Sequence, residues 1–169
     1  YDAWISLEQP EIGAPNEGRM GGYRKGFQSV CPGPITKLKK FGFDATADKA
    51  RTIVTDALTT LPGKSRIIVA SIDDEGVEGA FAAAKSAGRP NDVYGISLGV
   101  ADNVAKCGIK TNPNWLAATA IAPEKYGWVA IPNMITAIKS GKKPNKFLYV
   151  PLHAVNSKNI GKFYPNLNC

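Results

Sequence analysis

Histidine is nearly missing from this 169-residue sequence, and His153 stands alone. The three cysteines, Cys31, Cys107 and Cys169, lie far apart, with no C-x-x-C pair. Zinc needs clustered thiolate and imidazole ligands, so this class of metal site is excluded. One disulfide and one free thiol fit the count, and spacing does not say which two cysteines pair. No apolar run is long enough to cross a bilayer. Tyr1-Asp2-Ala3-Trp4 lacks the basic start and apolar block of a leader. The missing initiator Met reads as a mature, processed or truncated product. No internal repeat or low-complexity tract is visible. No G-x-G-x-x-G follows an expected strand, which disfavours a dinucleotide site. Gly13 to Met20 has phosphate-loop glycine spacing, but Arg19 stands where that loop needs Lys, and Met20 where it needs Ser or Thr. Nucleotide hydrolysis is therefore rejected.

What remains is an ordinary globular composition, 44% hydrophobic and 21% charged, enough for one domain with a real core. The net charge of +7 raises the question of nucleic acid. The lysines answer it. Lys37, Lys39 and Lys40 alternate along an expected strand, Lys139, Lys142, Lys143 and Lys146 surround a Gly/Pro turn, and Lys158 and Lys162 stand near the end. No basic helix and no interleaved aromatics accompany them, so they read as solvated faces and no nucleic-acid partner is expected.

Apolar periodicity marks strands alternating with helices. Trp4 to Leu7 reads as a strand, followed by a loop through Pro15. Met20, Tyr23, Phe27 and Val30 recur at helical spacing, ended by Cys31-Pro32-Gly33-Pro34. Thr36 to Phe43 alternates as a strand. Ala50, Ile53, Val54, Ala57, Leu58 and Leu61 form the clearest helical stripe, stopped by Pro62-Gly63. Ile67 to Ile72 is a nearly unbroken apolar strand, as expected when both faces are covered. Val77, Ala80, Phe81 and Ala84 give a helix ended by Gly88. Val93 to Ser97 is a fourth strand. Later come a short helix over Ala101 to Cys107, a strand over Leu116 to Ile121, a helix over Glu124 to Ser140 that Pro132 should kink or restart, a strand over Phe147 to Leu152, and a last helical turn over Asn159 to Tyr164. This alternation implies a parallel α/β sheet with right-handed crossovers.

The most informative stretch is Arg66-Ile-Ile-Val-Ala-Ser71-Ile-Asp73-Asp74-Glu75. A buried strand that ends in acids where a helix begins places polar groups at the carboxyl edge of the sheet, where open α/β sheets bind ligands. One of Asp73 and Asp74 suffices to cap the helix, which leaves the other to accept hydrogen bonds. Asp44 or Thr46 caps the next helix after the second strand, and Ser97 ends the fourth. Arg19, in the first turn of its helix, reads either as a tolerated surface residue or as a fork of donors aimed at ligand oxygens. No nucleophile or base is positioned by a motif, so binding is preferred over catalysis. His153 reads as structural, and Trp115, Tyr126 and Trp128 as core or interface. If the sheet is parallel, Arg19, Thr46, Asp73 and Ser97 converge on one edge.

Four stretches carry a resemblance. They are Arg19-Met-Gly-Gly-Tyr23-Arg-Lys-Gly-Phe27, Ala50 to Pro62, Ala70-Ser-Ile-Asp73-Asp74-Glu75-Gly-Val-Glu-Gly79-Ala80 with Ala87-Gly88-Arg89, and a close formed by Pro123-Glu124-Lys125-Tyr126-Gly127, Gly141-Lys142, Asn159-Ile160 and Phe163-Tyr164-Pro165. Together they resemble the second lobe of type I periplasmic solute-binding proteins of the sugar ABC-transporter class. The resemblance implies a flavodoxin-like parallel sheet with helices on both faces. It further implies a receptor that binds a sugar or polyol between two hinged lobes and hands it to an ABC permease, in the periplasm, with no cofactor and no chemistry on the ligand. Arg19 would bind ligand hydroxyls or a ring oxygen. Asp73 replaces the family's usual Asn, Thr46 falls near an aromatic position, Ser97 stands where many sugar binders have Asp, and Ala122 where some have a hinge Gln. These departures argue against simply assigning ribose or galactose.

The resemblance also divides the chain into a core over 1–115, a strand–helix segment over 116–141 that packs on a first lobe, and a return strand and turn over 142–169. That first lobe is missing from the sequence. The segment's stripe, Trp128, Ile131, Ile135 and Ile138, is expected to meet a first lobe in a longer protein or a second copy through domain swapping. The rivals are the effector domain of a LacI-type repressor, a flavodoxin-like enzyme with a metal on Asp73 and Asp74, and an orphan half-domain without a ligand. The ending Asn159 to Pro165 favours the transport receptor over the repressor.

Overall fold

The computed structural model describes residues 1–63 and 65–169. Six strands form one sheet in the order β2-β1-β3-β4-β5-β6. The strands are β1 (Ala3–Glu8), β2 (Leu38–Gly42), β3 (Ile67–Ser71), β4 (Val93–Gly99), β5 (Trp115–Ala120) and β6 (His153–Val155). The first five pair in parallel, and β6 returns antiparallel to β5. The helices are α1 (Ala14–Val30), α2 (Ala47–Thr59), α3 (Asp74–Ser86), α4 (Asn103–Thr111), α5 (Tyr126–Ser140) and α6 (Ile160–Phe163). This is the expected flavodoxin-like α/β architecture.

Strand parity assigns the two faces. Every residue of β1 is buried, as a central strand covered on both sides requires. Trp4 packs edge-on against Phe27 of α1, and Ser6 and Glu8, of the same parity, bond to Arg24 of α1. On the opposite face, α3 lies so close to β4 that a Cβ on Gly95 would reach within 2.4 Å of Val77. α2 and α3 touch through Gly79, where a Cβ would sit 2.2 Å from the Ala47 carbonyl oxygen. Ile5, Leu7, Val54, Ile67, Val69 and Ala80 form the core of that layer.

Several local expectations needed correction. α1 begins at Ala14, with Pro15 in its first turn where a missing N–H costs nothing, so Arg19 belongs to the second turn and not the first. Val30, expected on the apolar stripe of α1, is exposed. α5 runs through Pro132 as one helix and does not restart there. The expected strand over Phe147 to Leu152 is irregular chain. Its alternating residues have no neighbouring strand to bond, and Phe147, Tyr149 and Leu152 are exposed. The strand that does form is β6, which His153 begins rather than follows, its ring stacked 4.5 Å from Phe163. Of the segment 116–141, residues through Ala120 pair inside this sheet as β5, and the chain leaves the sheet at Ala122. Cys107 and Cys169 form the disulfide, tying the C-terminus to α4, and Cys31 is free and exposed.

Candidate functional site

The parallel register brings the carboxyl ends of the strands to one edge. Glu8 pairs with Gly42, Leu7 with Ser71, and Gly99 with Ala120. Left-handed backbone recurs just past these ends, at Ala45 (φ 59°), Val100 (φ 59°) and Ala122 (φ 46°). For a β-branched residue such as Val100 this conformation is strained and persists only when neighbours hold it.

Asp74 does the holding. It is buried at the first position of α3, where its carboxylate accepts hydrogen bonds from the Val100 amide and, at 2.6 Å, from the Ser97 hydroxyl. Ser97 in turn accepts from the Trp115 indole N–H at 3.1 Å. Burial raises the Asp74 pKa, and these two hydrogen bonds oppose the rise. Tyr164, from the C-terminal segment, donates to the Val100 carbonyl.

Asp73 is the cap of α3. Its Oδ1 accepts from the Gly76 amide at 3.0 Å and from Ser71 at 3.2 Å. Its Oδ2 is buried and has no hydrogen-bond partner among the described residues. Burial pushes its pKa up to about 6, with Glu75 and Asp74 adding to the rise. One turn along α3, Glu78 is pushed up to about 7 by burial and by the charges of Asp102, Glu75 and Asp74.

Arg19 is exposed on α1, one helical turn before Tyr23. The Tyr23 hydroxyl donates to the Ser97 carbonyl. Burial raises the Tyr23 pKa, Asp74 and Asp73 push the same way, and Arg19 opposes them. Arg19, Tyr23, Asp73 and Asp74 therefore share one electrostatic neighbourhood. Behind it, Glu8 accepts from Ser6 (2.7 Å), Arg24 (2.8 Å) and Asn16 (3.3 Å), and this network seats α1 on β1.

All four expected site residues stand at the carboxyl edge, but in different roles. Arg19 and Asp73 both act electrostatically on Tyr23. Ser97 is fully buried with its hydroxyl engaged by Asp74 and Trp115, so it supports the rim from behind. Thr46 lies beyond β1, at the β2 end, where its hydroxyl caps α2 and donates to Asp44 at 2.6 Å. Sequence reasoning missed Tyr23 and Val100 as rim elements. Tyr23 falls at the helical spacing of an apolar stripe, and a left-handed valine leaves no sequence mark. Among the described residues, no three His, Cys, Asp or Glu side chains are grouped to hold a metal ion.

Neither a protein-family model nor a curated protein matches the sequence. Solved structures do match in fold. A periplasmic solute-binding protein of an ABC transporter from Actinobacillus succinogenes 130z, with bound D-allose, superposes with a TM-score of 0.79 at 19% identity over 95% of this chain and 54% of its own. A periplasmic ribose ABC transporter protein from Conexibacter woesei gives 0.77 at 15% identity, covering 98% and 54%. The periplasmic binding component of the arabinose ABC transporter from Shewanella sp. ANA-3, bound to L-arabinofuranose, gives 0.75 at 19%, covering 99% and 55%. The chain has the fold of one lobe of such proteins and spans about half their length.

Proposed function

We propose that this chain is the ligand-gathering lobe of an extracytoplasmic receptor for a sugar or polyol, which serves an ABC import system. The observation that carries the reading is the buried, unpartnered Oδ2 of Asp73 at the carboxyl edge, with Tyr23 and Arg19 within electrostatic reach of one another there. Arg19 offers a planar set of donors that suits adjacent hydroxyl or ring oxygens. Asp73 keeps one carboxylate oxygen unpaired, suited to accepting from a hydroxyl once the rim opens around it. No group at the edge is poised as a nucleophile, so the ligand is held and released unchanged.

A lobe of this kind covers one side of its ligand, and a second lobe covers the other. The chain leaves the sheet at Ala122, in left-handed backbone, and returns to it at His153, and these two crossings suit a hinge. Between them α5 buries no residue and exposes Trp128, Ile131, Ile135 and Ile138, a face suited to packing on a first lobe. The closed, two-lobed form would be the one read by the permease.

Binding is tested by two-dimensional NMR with a panel of pentoses, hexoses and inositols. A single lobe is expected to bind its solute at roughly 1 mM, about −4 kcal/mol, with shifts centred on Arg19, Tyr23 and Asp73. Arg19→Ala should weaken that binding roughly tenfold, equivalent to about 1.4 kcal/mol. A panel that leaves the rim resonances unmoved at high concentration would refute the reading.

A further inference from the structure

One face of the sheet is only half covered. Beside α1 lies an open apolar groove of about 590 Å³, floored by Trp4, Ile68, Ile96 and Leu116 and walled by Tyr23 and Phe27. The α1 side of this groove also carries Gly22 and Gly26, which with Gly18 recur every fourth residue along one side of the helix. Glycine is the poorest helix former after proline, so a helix keeps it where another backbone must come close. Yet a Cβ on Gly18, Gly22 or Gly26 would meet nothing within 4 Å. The chain's own fold gives these glycines no reason, whereas a helix seated in the groove would.

The same chain holds an unseated helix. α5 is the one α-helix among the described residues that buries nothing. At 1.5 Å per residue its 15 residues span about 22 Å, matching strands of five to seven residues at about 3.3 Å each. Charge matches too. The arm from Ala122 to Leu152 carries Lys125, Lys139, Lys142, Lys143 and Lys146 against Glu124 alone. At Tyr23 the mouth of the groove lies within electrostatic reach of Asp73 and Asp74, as well as of Arg19.

We propose that two copies of this chain pair by exchanging arms, each α5 lying in the groove beside the partner's α1. The contact is isologous, so both grooves and both helices are covered at once. In a two-lobed protein the first lobe competes for the arm. For the 169-residue chain alone, the second copy is the cover. Pairing is read separately from sugar binding, so either can fail without the other.

Sedimentation at about 100 μM, far above the dissociation constant of a stable exchanged pair, should show twice the 18.0 kDa monomer mass. Trp4 and Trp115 are buried, whereas Trp128 is 83% exposed, so acrylamide quenching should fall as concentration rises. Gly22→Leu fills the groove without touching the chain's own fold, and Trp128→Lys spoils the arm. Each should sediment as a folded monomer by circular dichroism, and an equal mixture of the two should recover a pair, since one groove and one arm remain intact. A wild-type monomer at that concentration, with Trp128 open or shielded on its own groove, overturns the proposal. So does a dimer that survives both substitutions.

Discussion

Asp74 gives up its water on folding and receives the Val100 amide and the Ser97 hydroxyl in exchange. Gly99 beside it adopts φ 144°, and a side chain there would strike the Asp74 carboxylate at 2.6 Å. Asp74→Ala should therefore destabilise by about 2–3 kcal/mol, since a buried amide and hydroxyl lose their acceptor. Urea denaturation measures this, and Asp74→Asn, which keeps one carbonyl oxygen, should lose less. The doublet Asp73-Asp74 was legible as a cap plus a spare acid. Which acid caps was not legible, because that depends on where the β4 loop sits, 26 residues away. Arg19 and Asp73 were legible as edge residues from strand and helix punctuation. Ser97 was legible in position but not in orientation, since strand parity alone does not reveal that Trp115 lies behind it.

Between elements, α2 and α3 approach closely. Gly79→Ala would place a methyl 2.2 Å from the Ala47 carbonyl and 2.7 Å from the Ala50 side chain. The helices must separate, at about 1–3 kcal/mol or more, seen as a lowered denaturation midpoint. The Cys107–Cys169 bond closes a loop of 62 residues and holds the tail, including Ile160, Phe163 and Tyr164, against α4 and β5. Replacing both cysteines with serine should cost about 4 kcal/mol if loop entropy dominates. The same measurement reports it, and an unchanged midpoint would show that the tail stays docked without the bond. The alternation of Phe147 to Leu152 suits a strand, yet the segment is irregular. Period-two patterning shows which residues suit a strand, but a strand exists only beside another.

Across the whole molecule, two sets of carboxylates pull stability in opposite directions with pH. Burial raises Asp73 from 3.8 to about 6 and Glu78 from 4.5 to about 7, and Asp74 moves the same way. The folded state keeps these protons to higher pH than the unfolded chain, so stability falls as pH rises through that window. Hydrogen bonds hold Glu8 below its ordinary value despite burial, and Asp44 is lowered chiefly by Thr46. Their contribution is present above the carboxylate range and is lost as pH drops through it. The denaturation midpoint should therefore be higher near about pH 5 than near about pH 7.5, and Glu78→Gln should flatten the difference. A midpoint that climbs steadily across that interval would contradict the assignment of these buried acids.

The alternation of apolar runs, helical stripes and turn residues was enough by itself to determine a parallel α/β lobe and the edge where its polar residues collect. These are short-range properties: a 3.6-residue or two-residue period acts within one segment, and a cap acts within one turn. Only tertiary structure decided which carboxylate turns inward, which cysteines join, and that α5 finds no surface of its own to bury against. Those outcomes rest on contacts between residues dozens of positions apart, where the distance along the chain carries no information about distance in space.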